Sequence, residues 1–288
     1  IKDGVLDITT TGEVTDKSLT GGGMGGRPGR GGGFYPNAGG TADTDSFVSS
    51  KGIKAADSLL ISGGSIRVSS TDDSLHSNGS VSIIGGTLAL STGDDGIHAD
   101  GAVVINGGSI DVAKSYEGIE GKTIEINDGT INIVASDDGL NAASGSTTGG
   151  MGGTGGRPGQ ANSENSLTIN GGSVYINSGG DGLDSNGAFT VNGGFIAVDG
   201  PTNNGNSPLD ADGTRIINGG VLVAVGSAGM LESPQAGSAQ CCAVIVSGMI
   251  SAGSTVALVD ENGQTLLCYT AAKAAQSLTI SAPGLSLG

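Results

Sequence analysis

Seven times along the chain, a glycine closing a Gly-Gly or Asp-Gly pair is followed two and four residues later by aliphatic side chains. The glycines are Gly64, Gly86, Gly108, Gly129, Gly172, Gly194 and Gly220, at intervals of 22, 22, 21, 43, 22 and 26 residues. The aliphatic pairs begin with Ile66 and Val68 and continue through Leu88 and Leu90, Ile110 and Val112, Ile131 and Ile133, Val174 and Ile176, and Ile196 and Val198 to Leu222 and Ala224. Their neighbours are mostly small or polar. That period of two predicts a strand with one buried face in every repeat.

Two further elements complete each unit. A Leu or Ile stands alone at Ile53, Leu75, Ile97, Ile119, Leu140, Leu183 and Leu209. After a turn such as Asn78-Gly79 or Asp100-Gly101, a second alternating pair follows, for example Val81 and Ile83 or Val103 and Ile105. The reading is an all-β, parallel β-helix of about 22 residues per coil, each coil carrying three short strands about 4.8 Å from their copies. Leucine-rich repeats would require closely spaced Leu and an asparagine ladder, and calcium-binding rolls repeat every nine residues, so both are set aside. Arg215 interrupts one ladder, predicting an irregular coil there.

The helix is expected to occupy 1–230, with Gly-rich loop insertions at 13–50 and 145–165 whose ordering entropy little burial offsets. From 231 to 288 the repeat fades into strands at 241–248, 255–260 and 264–270. These are expected to form an antiparallel cap over the open end of the solenoid.

Composition agrees with a core of thin aliphatic ladders: 57 glycines, 3% aromatic residues and no Trp. A net charge of −16 argues against nucleic acid or an anionic membrane as partner and favours cations. No apolar run is long enough to insert in a bilayer. Cys241, Cys242 and Cys268 allow one disulfide at most, Cys242 with Cys268, or else act as small buried hydrophobes.

Acidic residues fall in register with the lone aliphatic. Two positions before it stand Asp73, Asp95, Glu117, Asp138 and Asp181, and one position earlier still stand Asp72, Asp94 and Asp137. Just after it come His76, His98, Glu120, Asn141, Asp184 and Asp210. Flanking an inward residue, these side chains are expected to point outward as a stripe along one corner. Carboxylates one coil apart repel by about 3 kcal/mol at an effective dielectric of about 20, which a hard divalent ion relieves. The expected metal ligands are Asp72, Asp73, Asp94, Asp95, Glu117, Glu120, Asp137, Asp138, Asp181 and Asp184, and the expected ions are several Ca²⁺. Zinc ranks lower, because His76 and His98 are the only histidines, lie on successive coils and have no cysteine nearby. Asp100 and Asp212 are left out, since Asp-Gly turns are explained by a need for positive φ.

The segments KGIKA at 51–55, DDGIHADG at 94–101, YEGIEG at 116–121 and SDDGLNAA at 136–143, with the GGMGG loops, resemble a family of bacterial carbohydrate-binding-domain proteins. That resemblance implies a right-handed β-helix similar to pectate lyases, bound calcium, and recognition of plant cell-wall polysaccharide such as polygalacturonate or cellulose. It further implies a secreted or cell-surface protein. A monomer is expected of a capped rod. Candidate sugar contacts are Tyr116 beside the stripe, His76, His98 and Lys54 in its last column, and Tyr175 with Phe195 on outward columns, the last two alternatively packing beneath a loop. Phe34 and Tyr35 in the first Gly-rich stretch are further candidates.

Three readings stay open. One is calcium-dependent, non-catalytic binding of polysaccharide. Another is a polysaccharide lyase with Lys54 or Lys51 as base, against which both lysines would be ion-pair partners of the stripe. The third is a calcium-stiffened spacer or adhesin.

Overall fold

The computed structural model describes residues 1–11, 50–144 and 161–286. The Gly-rich insertions, with Phe34 and Tyr35, lie outside the described residues except at 50 and 161–165.

Every regular element among the described residues is a strand, and those before residue 230 stack as a parallel solenoid of about seven turns. Three ladders run its length. The first carries the pairs that follow the Gly-Gly turns, with Ile66 beside Leu88, Leu88 beside Ile110, Ile110 beside Ile131, and Val174 between Ile131 and Ile196. The second is a row of three-residue strands, among them Ile53–Ala55, Leu75–Ser77, Leu140–Ala142 and Leu183–Ser185, with the lone aliphatics in register and Leu209 bridging to Leu183. The third stacks Ser58–Ile61, Ser80–Ile83, Ser166–Ile169 and Ala188–Val191. The inward residues of all three ladders form one buried aliphatic core. Arg215 takes the rung beside the buried Phe189 without ending the coil. Its guanidinium donates to the carbonyls of Ala211 and Ser233, so carbonyl acceptors take the place of apolar packing at this rung.

The turns divide into two kinds. The glycine that closes each Gly-Gly or Asp-Gly pair ahead of the first ladder has positive φ, from 80° at Gly220 to 119° at Gly129, a region that side chains with a Cβ rarely adopt. Gly79, Gly101, Gly187 and Gly213 are not in that region, contrary to the expectation for Asn-Gly and Asp-Gly turns. Glycine is required there for a different reason: a Cβ would meet a backbone carbonyl one coil away, Gly79 O in the case of Gly101. The structure also contains the asparagine ladder set aside above. Asn127 donates to Asn106 at 2.9 Å, Asn170 to Asn127 at 2.7 Å, and Asn192 and Asn218 each to the preceding asparagine at 2.8 Å. The signal was the Asn preceding each of these glycine turns.

The C-terminal strands do more than close an end. Ala275–Ser281 runs antiparallel to Val221–Gly226 and, on its other edge, to Cys242–Ile250. Alternation does not predict it, because five of its residues in succession are buried. The hairpin of Thr255–Val259 and Thr265–Thr270 contributes Leu267 and Tyr269 to a second apolar cluster with Ala197, Val223 and Tyr175. Those last three are outward positions, which turn apolar in the final coils and so draw the hairpin onto the side of the solenoid. Fully buried Asp199 ties the junction together, accepting hydrogen bonds from Tyr175 Oη at 2.9 Å, Tyr269 Oη at 2.7 Å and Ala272 N at 2.9 Å. Burial and the bond to Asp199 push the Tyr175 hydroxyl up to about 12. All three cysteines are free: Cys242 and Cys268 belong to different sheets, and Cys268 is exposed.

Candidate functional site

The corner strands bring the acidic residues together through backbone bonds between coils. Gly52 N donates to Asp73 O, Ser74 N to Asp95 O, Gly96 N to Glu117 O, Gly118 N to Asp138 O and Gly139 N to Asp181 O. The column before the lone aliphatic is thereby held at one-coil spacing. The column after it pairs Lys54 with His76, His76 with His98, His98 with Glu120, Glu120 with Asn141, and Asn141 with Asp184.

The side chains expected to point outward do not all do so: Asp73, Asp94 and Asp95 are buried, while Glu117, Asp137, Asp138, Asp181 and Asp184 are half-buried. Asp73 is 2% exposed and Asp95 1%. Residues 72–74 and 94–96 form a bend rather than a strand, so the alternation counted back from Leu75 and Ile97 no longer applies and the side chains lie between coils.

Two halves of the stripe differ in how their charge is met. In the first, Lys51 Nζ lies 2.8 Å from Asp72 Oδ1 and 2.5 Å from Asp73 Oδ2. His76 Nδ1 lies 2.8 Å from Asp73 Oδ2, and His98 Nδ1 is 2.6 Å from Glu120 Oε2 and 3.1 Å from Asp95 Oδ2. The two imidazoles stack with centroids 4.9 Å apart. Lying on successive coils thus brings the histidines together, because parallel register places them side by side. Burial alone would raise Asp73, but the bonds from His76 and Lys51 outweigh it and hold the carboxyl below the usual range. Burial likewise opposes charge on His98, yet its bonds to Asp95 and Glu120 push it up to about 11. Lys51 is therefore an ion-pair partner of the stripe. Lys54 is exposed, next to His76 in the strand row.

In the second half the described residues bring no such cation. Among the described residues no Lys, Arg or His forms an ion pair with Glu117, Asp137, Asp138, Asp181 or Asp184. Glu117, Asp137 and Asp138 each offer an oxygen within 4.8 Å of the others, and so do Asp138, Asp181 and Asp184. Burial, then repulsion by Glu120 and Asp95, pushes Glu117 up to about 10. Burial and neighbouring carboxylates likewise push Asp138 and Asp184 up to about 8 and Asp181 to about 6. Asn141 donates to Glu117 Oε2 at 3.0 Å, while its buried Oδ1 has no hydrogen-bond partner. At Gly180 a Cβ would overlap the carboxylate oxygens of Asp137 and Asp138, so the absence of a side chain keeps this cradle open. The Tyr116 hydroxyl is bonded to Asp137, which raises its pKa. Tyr175 is engaged with Asp199 in the cap junction, and Phe195 is 39% exposed on the first ladder.

Residues beyond the expected ligand set belong here too. Asp210 is pushed up to about 7 by burial and by Asp181 and Glu232. Glu232, from the segment after the last coil, bonds Ala211 N and Arg215. Asp100 lies 3.2 Å from His98 Nε2. Asn141 and Asp210 shared the last column and were visible in register. Glu232 lies outside the repeat and left no signal.

These shifts set the pH response of the metal-free chain. A carboxyl whose folded pKa lies above its unfolded value holds its proton more tightly in the native state. Between about pH 4 and pH 8 the native chain then binds more protons than the unfolded chain, so stability is greatest at the acid end and falls as pH rises. Each group contributes up to about 1.4 kcal/mol per pH unit. The chelator-treated protein is expected to melt several degrees higher at pH 5 than at pH 8.5; a melting temperature that climbs across this range would contradict the site's electrostatics.

A family model described as carbohydrate-binding domain-containing protein matches residues 1–96 and 94–287. No curated protein and no solved structure matches significantly. Carbohydrate is therefore the partner class of this solenoid, and the chain belongs to the carbohydrate-binding domain-containing protein family.

Proposed function

We propose that the chain binds acidic cell-wall polysaccharide through Ca²⁺ held on the second half of the stripe, by Glu117, Asp137 and Asp138 and by Asp138, Asp181 and Asp184. The observation that carries this reading is the half-buried cluster of carboxylates that no cation among the described residues meets, beside an unpartnered Asn141 oxygen. The donors are all oxygen, which suits a hard ion of flexible coordination. Ca²⁺ held by these carboxylates would offset their charge and would supply a bridge to a uronate carboxylate. The chain's own residues fix the carboxylates at coil spacing and leave Gly180 bare beside them. Tyr116, whose hydroxyl is tied to Asp137, stands at the edge of the cluster as the nearest aromatic surface for a sugar ring. A ligand of this kind supports the reading of a secreted or cell-surface protein.

Sedimentation with insoluble polygalacturonate tests the reading directly. Retention in Ca²⁺ and release by chelator are expected, with cellulose as the neutral comparison. Equal retention in both buffers would exclude a calcium bridge, and ultraviolet absorbance from unsaturated uronides would point to a lyase instead.

A further inference from the structure

His98 stands where the two halves of the stripe meet, and its surroundings differ from those of every other stripe residue. Nδ1 faces two carboxylates, Glu120 at 2.6 Å and Asp95 at 3.1 Å, while Nε2 faces a third, Asp100, at 3.2 Å. Asp95 is 1% exposed and its second oxygen, Oδ1, has no hydrogen-bond partner. We propose that His98 Nδ1, Asp95 and Glu120 form a site for a divalent ion of borderline hardness, Zn²⁺, distinct from the all-oxygen clusters of the second half.

Four observations converge on it. The three ligand atoms lie within 4.8 Å of one another. Their separations from Nδ1, 2.6 and 3.1 Å, need to open by less than about 1 Å to reach the roughly 3.3 Å between tetrahedral ligands that each sit about 2.0 to 2.1 Å from zinc. Asp100 on the far nitrogen is the orienting carboxylate that a metal-bound imidazole uses: it fixes the proton on Nε2 and leaves the Nδ1 lone pair for the ion. The unpartnered Asp95 oxygen gains a partner, either the ion itself or a water bound to it. A mixed nitrogen and oxygen set favours Zn²⁺ over Ca²⁺, which takes oxygen ligands.

His76, one coil away, shows what is missing where no such site forms. His76 does group with Asp73 and His98, but its Nδ1 lies beside Asp73, whose Oδ2 already accepts Lys51 Nζ, and its Nε2 has the neutral Asn78 where His98 has a carboxylate. The stacked, nearly parallel rings also keep a single ion from lying in both ring planes. On binding, the ion replaces the Nδ1 proton, which leaves to solvent, so the charge between Asp95 and Glu120 stays neutralised.

The test uses the full chain, stripped with chelator, its thiols alkylated so that Cys241, Cys242 and Cys268 cannot take zinc. Calorimetric titration with Zn²⁺ in excess Ca²⁺ is expected to give one tightly bound ion per chain. His98→Ala and Glu120→Gln should each weaken it at least tenfold, and Asp111→Asn, on the outer face, should leave it unchanged. Circular dichroism checks the fold of each variant. Should His98→Ala not fold, X-ray absorption of the zinc-loaded parent gives the same answer through imidazole scattering around a nitrogen and oxygen shell. Zinc that Ca²⁺ displaces, zinc retained by folded His98→Ala, or a spectrum without imidazole overturns the proposal. None of these outcomes depends on polysaccharide binding, so the calcium reading stands or falls separately.

Discussion

Asp138→Asn is expected to have opposite effects with and without calcium. Asp138 belongs to both oxygen clusters of the second half, so its loss should weaken Ca²⁺ at least about 100-fold and abolish retention on polygalacturonate. In chelator above about pH 8, where Asp138 ionises, the same change removes a half-buried charge that repels Asp137 and Asp181. Charges separated by 4.8 Å repel by about 3 to 4 kcal/mol at an effective dielectric of about 20, so relief of part of this should raise the melting temperature by a few degrees. The amide keeps an oxygen for the bond that Asp181 N donates to Oδ1 at 2.6 Å, so the bend survives. Ca²⁺ at 100 times its dissociation constant should stabilise the parent by about 2.7 kcal/mol and the variant hardly at all. The two melting curves therefore exchange order when calcium is added. A variant that is less stable in chelator, yet shifts normally with Ca²⁺, would remove Asp138 from the site.

The second large effect lies at the junction with the cap. Asp199→Ala leaves two partly buried tyrosine hydroxyls and the Ala272 amide without their acceptor. Hydrogen bonds to a charged group are worth about 1.5 to 3 kcal/mol each, and orphaned buried donors add their desolvation cost. A loss of roughly 3 to 5 kcal/mol is expected, concentrated in the hairpin and in Ala275–Ser281, which hold the second apolar cluster. Hydrogen exchange should then show the amides of 255–281 exchanging far faster while those of 97–142 change little. Uniform loss of protection along the solenoid would mean that the cap is no separate unit of stability. Because the acidic stripe lies on another ladder, Ca²⁺ binding by folded Asp199→Ala should persist.

The solenoid was legible because its signal repeats. Each coil restates the same alternation, and parallel register makes a column in the sequence a column in space, as Leu75, Ile97, Ile119 and Leu140 demonstrate. The same rule identified the acidic columns and Lys51 as a partner of the stripe. It failed where the chain bends, since alternation says nothing about side-chain direction at Asp73 or Asp95, and those carboxylates turned inward between coils. It failed again at Ala275–Ser281, whose strand is buried on both faces and carries no alternation to read. Sequence by itself thus determined the coil length, the core residues and which charges share a column, because these follow from local period and register. Only the tertiary structure decided which carboxylates meet a cation among the described residues, that Asp100 lies against His98, that Glu232 reaches Arg215, and that the hairpin covers Tyr175. Those relations depend on burial and on contacts between segments far apart in the chain, where no repeat carries the information.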